Sequence, residues 1–434
     1  MSTELNTSQP RVADSAIGNA PASRSVFRRP VLKTLRKMRH GQLTLRFPDG
    51  EISTFGTAEG EPTAQIVVQR EEFFKSCALY GGLGLGESYV AGDWHTNDIR
   101  AVIEWFIVNI ASDPNMRRSS QRFRAVGWLC GLNRVRHWLR PNSLKTSRRN
   151  IADHYDLGND FYRLWLDPTM TYSGARFTSA NQSLESAQLA KYEALCQSLC
   201  LTEWDRVLEI GCGWGGFSIY AAKNYGCQVT ALTISQAQFD EATRRVEAEG
   251  LSGRVEIRLQ DYRKVDGQFD KIASIEMLEA VGDRYLETYF GRCHELLAPD
   301  GLLALQMITV TDRQFEQLRR GADFIQKHIF PGSLLLSIGR VNQALNRTGD
   351  LSLHELEDLG AGYARTLREW SDNFNARLDE VREQGFCEAF IRKWNYYLKY
   401  CEAAFATRNI SVVQAVYTRA GNSRCLHRED GVTS

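Results

Sequence analysis

The residues best placed to do chemistry begin with Arg206-Val-Leu-Glu-Ile-Gly-Cys-Gly-Trp-Gly-Gly216, an apolar run that empties into a glycine loop. The run reads as a buried strand, and the stretch after it as the start of a helix. Gly211, Gly213 and Gly215 let the backbone turn tightly and approach a ligand where a Cβ would clash. In a sheet of this kind the ligand sits outside the carboxyl end of the first strand. A dinucleotide site wants the spacing GxGxxG and an acid at the end of the next strand. Here that strand, Gln228 to Leu232, runs into Thr233-Ile-Ser-Gln-Ala-Gln238 without a carboxylate, which disfavours NAD. The third strand, Val255 to Leu259, ends in Gln260 and Asp261, a polar pair able to hydrogen-bond an adenine edge.

The loop needs a frame to hold it. Apolar strands at Arg206 to Ile210, Gln228 to Leu232, Val255 to Leu259, Lys271 to Ile275 and Leu302 to Met307 alternate with longer helical stretches. That order predicts an α/β domain over 151–434, with a doubly wound and mostly parallel sheet. Residues 24–114 read as a smaller N-terminal domain. Gln42 to Gly50 looks like a strand into a turn, Ala64 to Gln69 a second strand, Glu71 to Leu79 a helix, and Gly81-Gly-Leu-Gly-Leu-Gly86 a flexible loop. Residues 1–23, rich in Ser, Ala, Thr and Asn, read as a disordered tail. A length of 434 residues suits two or three domains, and 43% hydrophobic residues exclude wholesale disorder.

Ten cysteines include no CxxC pair, the closest being Cys196 and Cys200, so a zinc ribbon or thioredoxin motif is disfavoured. The pattern suits reduced thiols in a cytosolic protein. No uncharged apolar run approaches the ~18 residues of a membrane span, and the N-terminus lacks a secretory apolar core.

Charge is more informative than its net value of +1 suggests. Arg24 to Arg39 holds seven basic residues and no acid, and Asn115 to Asn150 holds ten and no acid. The remainder of the chain is therefore strongly acidic. In the second segment Phe123, Trp128, Leu129, Leu132, Trp138 and Leu139 are interleaved at roughly helical spacing. A solvated linker and a basic amphipathic segment lying on an anionic bilayer compete there, and the paired tryptophans favour the bilayer. A nucleic-acid arm ranks third, since no DNA- or RNA-binding motif accompanies it.

The loop Glu209-Ile-Gly-Cys-Gly-Trp-Gly is similar to that of S-adenosylmethionine-dependent methyltransferases, and Ser274-Ile-Glu-Met-Leu-Glu279 is unlike the motif of nucleic-acid base methyltransferases. Longer stretches resemble one family, the cyclopropane-fatty-acyl-phospholipid and mycolic acid cyclopropane synthases. They include Leu85 to Trp94, His154 to Asp160, Leu166 to Ser173, Leu208 to Gly216, Thr233 to Gln238, Phe324 to Gly332, Gly362 to Leu367 and Tyr396 to Phe405. The resemblance runs through almost the whole chain after the tail. It implies a Rossmann-like class I methyltransferase domain with S-adenosyl-L-methionine as cofactor. It also implies transfer of the methyl carbon to a cis double bond of an unsaturated phospholipid acyl chain. Tyr172, Ser173, Leu208, Glu209, Gly211, Gly213, Gly215, Thr233, Ser235, Gln238, Gln260 and Asp261 fall on cofactor positions. Glu279, Tyr363 and Cys401 fall on active-site positions, and no metal is implied.

Many ring-forming members use bicarbonate as the base, gripped by a Cys, a Glu, a His and a Tyr. Here the Cys position is Gly174, the residue after Glu279 is Ala280 instead of His, and the strand His is Gln306. Glu279 and Tyr363 remain, so a cyclopropane and a methyl- or methylene-branched chain both stay open as products. The alternatives are a membrane-lipid-binding protein with a degraded site and a methyltransferase of a small soluble substrate. The expected partner is an anionic phospholipid membrane and not nucleic acid, with a homodimer left open. The expected location is cytoplasmic, peripheral to the inner face of the membrane.

Overall fold

A computed structural model describes residues 24–57, 60–112, 157–319, 321 and 323–422. The expected tail over 1–23, the basic segment over 115–150 and the boundary at 150 fall outside the described residues.

Two sheets carry the fold. The first has the order β2-β1-β3-β4, from β1 (Gln42–Arg46), β2 (Ile52–Gly56), β3 (Thr63–Val68) and β4 (Trp94–His95). β1 runs parallel to β3, and β2 and β4 are antiparallel edges. Leu43 and Leu45 alternate inward, as a one-sided sheet requires. The helices Glu72–Tyr80 and Ile99–Ser112 follow in the same unit. The latter packs on the long helix Glu388–Ala406, so one apolar core runs from Leu43, Ile66 and Trp94 through to Phe161, Trp370 and Trp394.

The second sheet has the order β10-β11-β9-β8-β5-β6-β7. Its parallel block comprises β5 (Arg206–Ile210), β6 (Gln228–Thr233), β7 (Val255–Leu259), β8 (Phe269–Ile275) and β9 (Leu297–Thr309). Alternate residues feed the two faces. Val207, Leu302 and Ala304 pack under Leu184–Ser198 and Gly216–Tyr225, while Leu208, Leu303 and Leu305 pack under Leu286–Leu296 and Ile338–Thr348. The chain leaves β5 toward β6 on one side and later fills β8 on the other, and a crevice opens at that reversal.

The expected α/β class and mostly parallel sheet stand, with one addition and one correction. The last two strands, β10 (Leu351–Asp358) and β11 (Ser411–Arg419), are antiparallel, and β11 pairs with β9. The stretch expected as a glycine-rich loop is the helix Gly82–Val90. Its glycines serve close packing: a Cβ on Gly86 would lie 2.6 Å from the Phe324 ring and 2.8 Å from that of Tyr396. A Cβ on Gly84 would strike the Ser76 carbonyl. Gly86→Leu should therefore lower the unfolding free energy by about 1–3 kcal/mol through overpacking. Gly82→Ala, where a Cβ meets nothing within 4 Å, should stay within about 0.5 kcal/mol of wild type in urea titrations. Equal stability of the two variants would contradict this account of the glycines.

Candidate active site

The loop after β5 is fastened before any ligand arrives. Gly211 and Cys212 donate their N–H groups to the Leu232 carbonyl at the end of β6 (3.1 and 2.8 Å). Gly211, Gly213 and Gly215 all take positive φ, and Gly215 leads into Gly216–Tyr225. A Cβ on Gly213 would meet no protein atom within 4 Å, so that side of the loop faces open space. Arg245 clamps the loop by donating to the carbonyls of Trp214 (2.8 Å) and Thr169 (2.9 Å). Behind it, the buried Glu209 accepts from the Ser218 hydroxyl, and burial pushes its pKa up to about 7.

The polar residues at the next two strand ends flank the same crevice. The Thr233 hydroxyl donates to Gln238 (2.9 Å), and Ser235 caps the helix Gln236–Ala248 through the Gln238 N–H. Gln260 donates to the Lys264 carbonyl (2.7 Å), and Asp261 holds Arg263 through both oxygens (2.8 and 2.6 Å). From the opposite side, the Tyr172 and Tyr397 hydroxyls meet at 2.7 Å, and Ser173 accepts from the fully buried Lys191 (2.6 Å). Burial lowers the Lys191 pKa to about 7.

Two carboxylates stand where β8 ends. Glu279 accepts from the Ile308 N–H with one oxygen, while the other is buried without a partner. Burial, and then the neighbouring Glu276 charge, push its pKa up to about 8. Glu276 was not anticipated from the sequence. Its carboxylate accepts from the Gly174 N–H (2.8 Å), the Gln306 amide (2.8 Å) and the Tyr363 hydroxyl (2.7 Å). Gln306 also donates to the Gly174 carbonyl and accepts from Gln414 (3.1 and 3.0 Å). A Cβ on Gly174 would fall 2.8 Å from the Tyr363 ring, so the missing side chain is what admits the tyrosine. Three of the positions assigned by resemblance to a bicarbonate site, Gly174, Gln306 and Tyr363, are thus already bound to a protein carboxylate, and the set does not fit that ion. The one sequence signal for Glu276 was an acid placed at the carboxyl end of a buried strand.

These groups line one cavity of about 1460 Å³. Of the expected residues, Tyr172, Ser173, Glu209, Gly211, Gly213, Thr233, Gln238, Gln260, Asp261, Glu279, Tyr363 and Cys401 reach its wall. Leu208, Gly215 and Ser235 lie outside the wall and shape it from behind. Burial pushes the Cys401 thiol pKa well up, so the group is neutral. From the loop the cavity continues past Tyr363, Tyr397 and Phe330 to the N-terminal unit, where Leu43, Leu45 and Ile66 of the sheet and Leu35 and Ile107 of the helices line it.

A glycine loop at the carboxyl end of the central strand of such a sheet is the fold of S-adenosylmethionine-dependent methyltransferases. The family model for mycolic acid cyclopropane synthetase matches residues 142–415, and the chain belongs to that family. A tuberculostearic acid methyltransferase of Mycobacterium tuberculosis is 34% identical over 95% of both chains. The cyclopropane-fatty-acyl-phospholipid synthase of Escherichia coli is 35% identical over 83% of this chain and 89% of its own. A mycolic acid cyclopropane synthase solved with S-adenosylhomocysteine and CTAB superposes with a TM-score of 0.59 at 30% identity, covering 63% of this chain and 98% of that one. The protein is an S-adenosylmethionine-dependent methyltransferase, and S-adenosylmethionine is its cofactor.

The Glu279 environment has a consequence for stability. The folded protein keeps this carboxyl protonated up to about pH 8, whereas the unfolded chain releases the proton near 4.5. Between those values the native state binds more protons, so its stability falls as pH rises. Glu279→Gln removes that slope. The unfolding free energy of the variant should gain on wild type steadily from pH 5 to pH 8 in urea titrations, and a pH-independent difference would contradict the assignment.

Proposed function

We propose that the protein transfers the methyl carbon of S-adenosylmethionine to a cis double bond of an unsaturated phospholipid acyl chain, giving a cyclopropane or a methyl- or methylene-branched chain. The observation that carries this reading is the continuous cavity. It joins the glycine loop to an aliphatic arm at the N-terminal unit, and it exceeds the ~300–1,000 Å³ usual for one small ligand. An aliphatic arm suits a lipid tail and leaves a small polar substrate without partners, while the intact glycine loop disfavours a degraded site. Two relatives carry lipid names, a tuberculostearic acid methyltransferase and a cyclopropane-fatty-acyl-phospholipid synthase.

In this reading the loop of Gly211 and Gly213 with Glu209, Thr233, Gln238, Gln260, Asp261, Tyr172 and Ser173 holds the cofactor. The cofactor supplies an electrophilic methyl group. The alkene is a poor nucleophile, so the walls must hold it in line with that methyl. The aromatic rings of Tyr363, tilted against Phe405 at 4.4 Å between centroids, and of Tyr397 suit the carbocation that methyl transfer leaves on the chain. The apolar wall, including Cys401 and Ala404, excludes water that would trap it. Glu279 lines the same cavity, with one carboxyl oxygen buried and unpartnered.

The protein would reach its lipid at an anionic membrane surface on the cytoplasmic side. No helix among the described residues is long and apolar enough to cross a membrane. The helix Arg28–Leu35 and the turn after it expose Arg29, Lys33, Arg36, Lys37 and Arg39, while Val31, Leu35 and Met38 line the cavity beneath. Arg24 and Arg28 are instead paired with Asp49 and Glu51.

Incubation with S-adenosylmethionine and mono-unsaturated phospholipid vesicles should add one carbon to the acyl chains, with proton NMR separating ring from branched products. Unchanged chains would overturn the reading. Replacing Lys33, Arg36 and Lys37 with Gln should weaken binding to anionic vesicles by about a hundredfold, at about 1 kcal/mol per basic residue near the surface. Unchanged binding would remove this helix from the membrane contact.

A further inference from the structure

Glu276 occupies an unusual place for a glutamate. It is a non-glycine residue at φ +50°, in the left-handed region that L side chains rarely adopt. Such strain costs roughly 1–3 kcal/mol and persists where surrounding contacts hold it, most often at functional sites. Three donors from distant parts of the chain converge on its carboxylate: the Gly174 N–H, the Gln306 amide and the Tyr363 hydroxyl. Gln414 fixes the donating face of Gln306 by bonding its oxygen. The buried Lys191 adds a cation to the same environment. Glu276 is only partly buried, and it lines the cavity beside Glu279.

Three of these positions, Gly174, Gln306 and Tyr363, are those at which the family resemblance puts three of the four grips on a bicarbonate base. Here all three face a carboxylate that the chain itself supplies. We propose that Glu276 is the catalytic base of this enzyme, its tethered carboxylate standing in the place of bicarbonate. This inference rests on the proposed methyl transfer to an acyl double bond. The alkene π pair forms the new C–CH3 bond as the CH3–S bond breaks and its electrons stay on sulfur. A cation remains on the chain. Glu276 takes a proton from the transferred methyl group, and the freed C–H pair closes the ring or, where a hydride has first shifted so that the cation lies on the methyl-bearing carbon, forms a methylene branch. The Glu276 carboxyl then loses the proton to water once product has left, so the net products are S-adenosylhomocysteine, modified lipid and one proton.

The roles of the neighbours follow. Tyr363 and Gln306 are positioning residues that hold the carboxylate toward the cavity. Burial raises the Glu276 pKa, whereas the Tyr363 hydroxyl and then Lys191 counter that rise. Glu279, whose pKa burial raises to about 8, is the protonated neighbour.

The test compares wild type, Glu276→Gln and Glu276→Gly on mono-unsaturated phospholipid vesicles, in carbonate-free buffer and with added bicarbonate. Wild type should methylate lipid equally with and without bicarbonate. Glu276→Gln should lose about a hundredfold or more in product formation, while S-adenosylmethionine still raises its melting temperature as in wild type. Glu276→Gly, with a residue that accepts the positive φ and leaves room for an ion, should be slow in carbonate-free buffer and recover with bicarbonate. A wild-type requirement for bicarbonate, or Glu276→Gln within threefold of wild type, would overturn the inference while leaving the proposed function intact. Wild type that methylates no lipid under either condition would overturn both.

Discussion

Three segments that are far apart in sequence meet on the carboxylate of Glu276. The Tyr172-Ser173-Gly174 turn supplies a backbone N–H, β9 supplies the Gln306 amide, and the helix Gly360–Ala376 supplies the Tyr363 hydroxyl. Taking a carboxylate out of water costs several kcal/mol unless donors replace the lost hydration. Those three donors do so, and in meeting the demand they fix three walls of the cavity relative to the end of β8. The absence of a side chain at Gly174 belongs to the same constraint, since a Cβ there would collide with the Tyr363 ring. Gly174 and Gln306, read singly as lost ligands, are parts of one satisfied network.

Around that network the two sheets divide the work. The carboxyl edge of the parallel block offers glycine backbone and short polar side chains, which suit a charged nucleoside cofactor. The N-terminal sheet lines the other arm with Leu43, Leu45 and Ile66, which suits a hydrocarbon chain. The junction is lined by aromatic side chains from Glu388–Ala406 and Gly360–Ala376. A sequence without the N-terminal unit would keep the cofactor edge and lose the aliphatic arm. The solved mycolic acid relative, matched over 63% of this chain and 98% of its own, aligns with a part only.

Much of the frame could be read from local pattern. β5 falls where its apolar run puts it, because a buried parallel strand is nearly continuous in apolar residues and is followed by a glycine or polar break, whereas the edge strand β7 alternates Val, Ile and Leu with Glu and Arg. β10 was harder: Leu351-Ser-Leu-His-Glu-Leu-Glu-Asp358 alternates as an antiparallel edge strand does, and its direction is set by tertiary pairing with β11. The Gly81 to Gly86 stretch misled because glycine lowers helix propensity locally, whereas here it lets Phe324 and Tyr396 approach the helix. At the site, the glycine loop and the strand-end polar pairs were legible from spacing. Glu276 was not, since an acid at a strand end usually reads as a solvated cap. Its partners lie 30, 87 and 102 residues away, so only the fold brings them together.

The most direct measurement follows the methyl hydrogens. With S-adenosylmethionine carrying a trideuterated methyl group and mono-unsaturated phospholipid vesicles, mass spectrometry of the acyl chains should find one added carbon that keeps two of its three deuterons. That result requires the chain to be the methyl acceptor and the methyl to lose one hydrogen to a base in the site. Acyl chains without label would contradict the account, and chains retaining all three deuterons, as a methyl-branched product does, would contradict removal of a methyl hydrogen by Glu276.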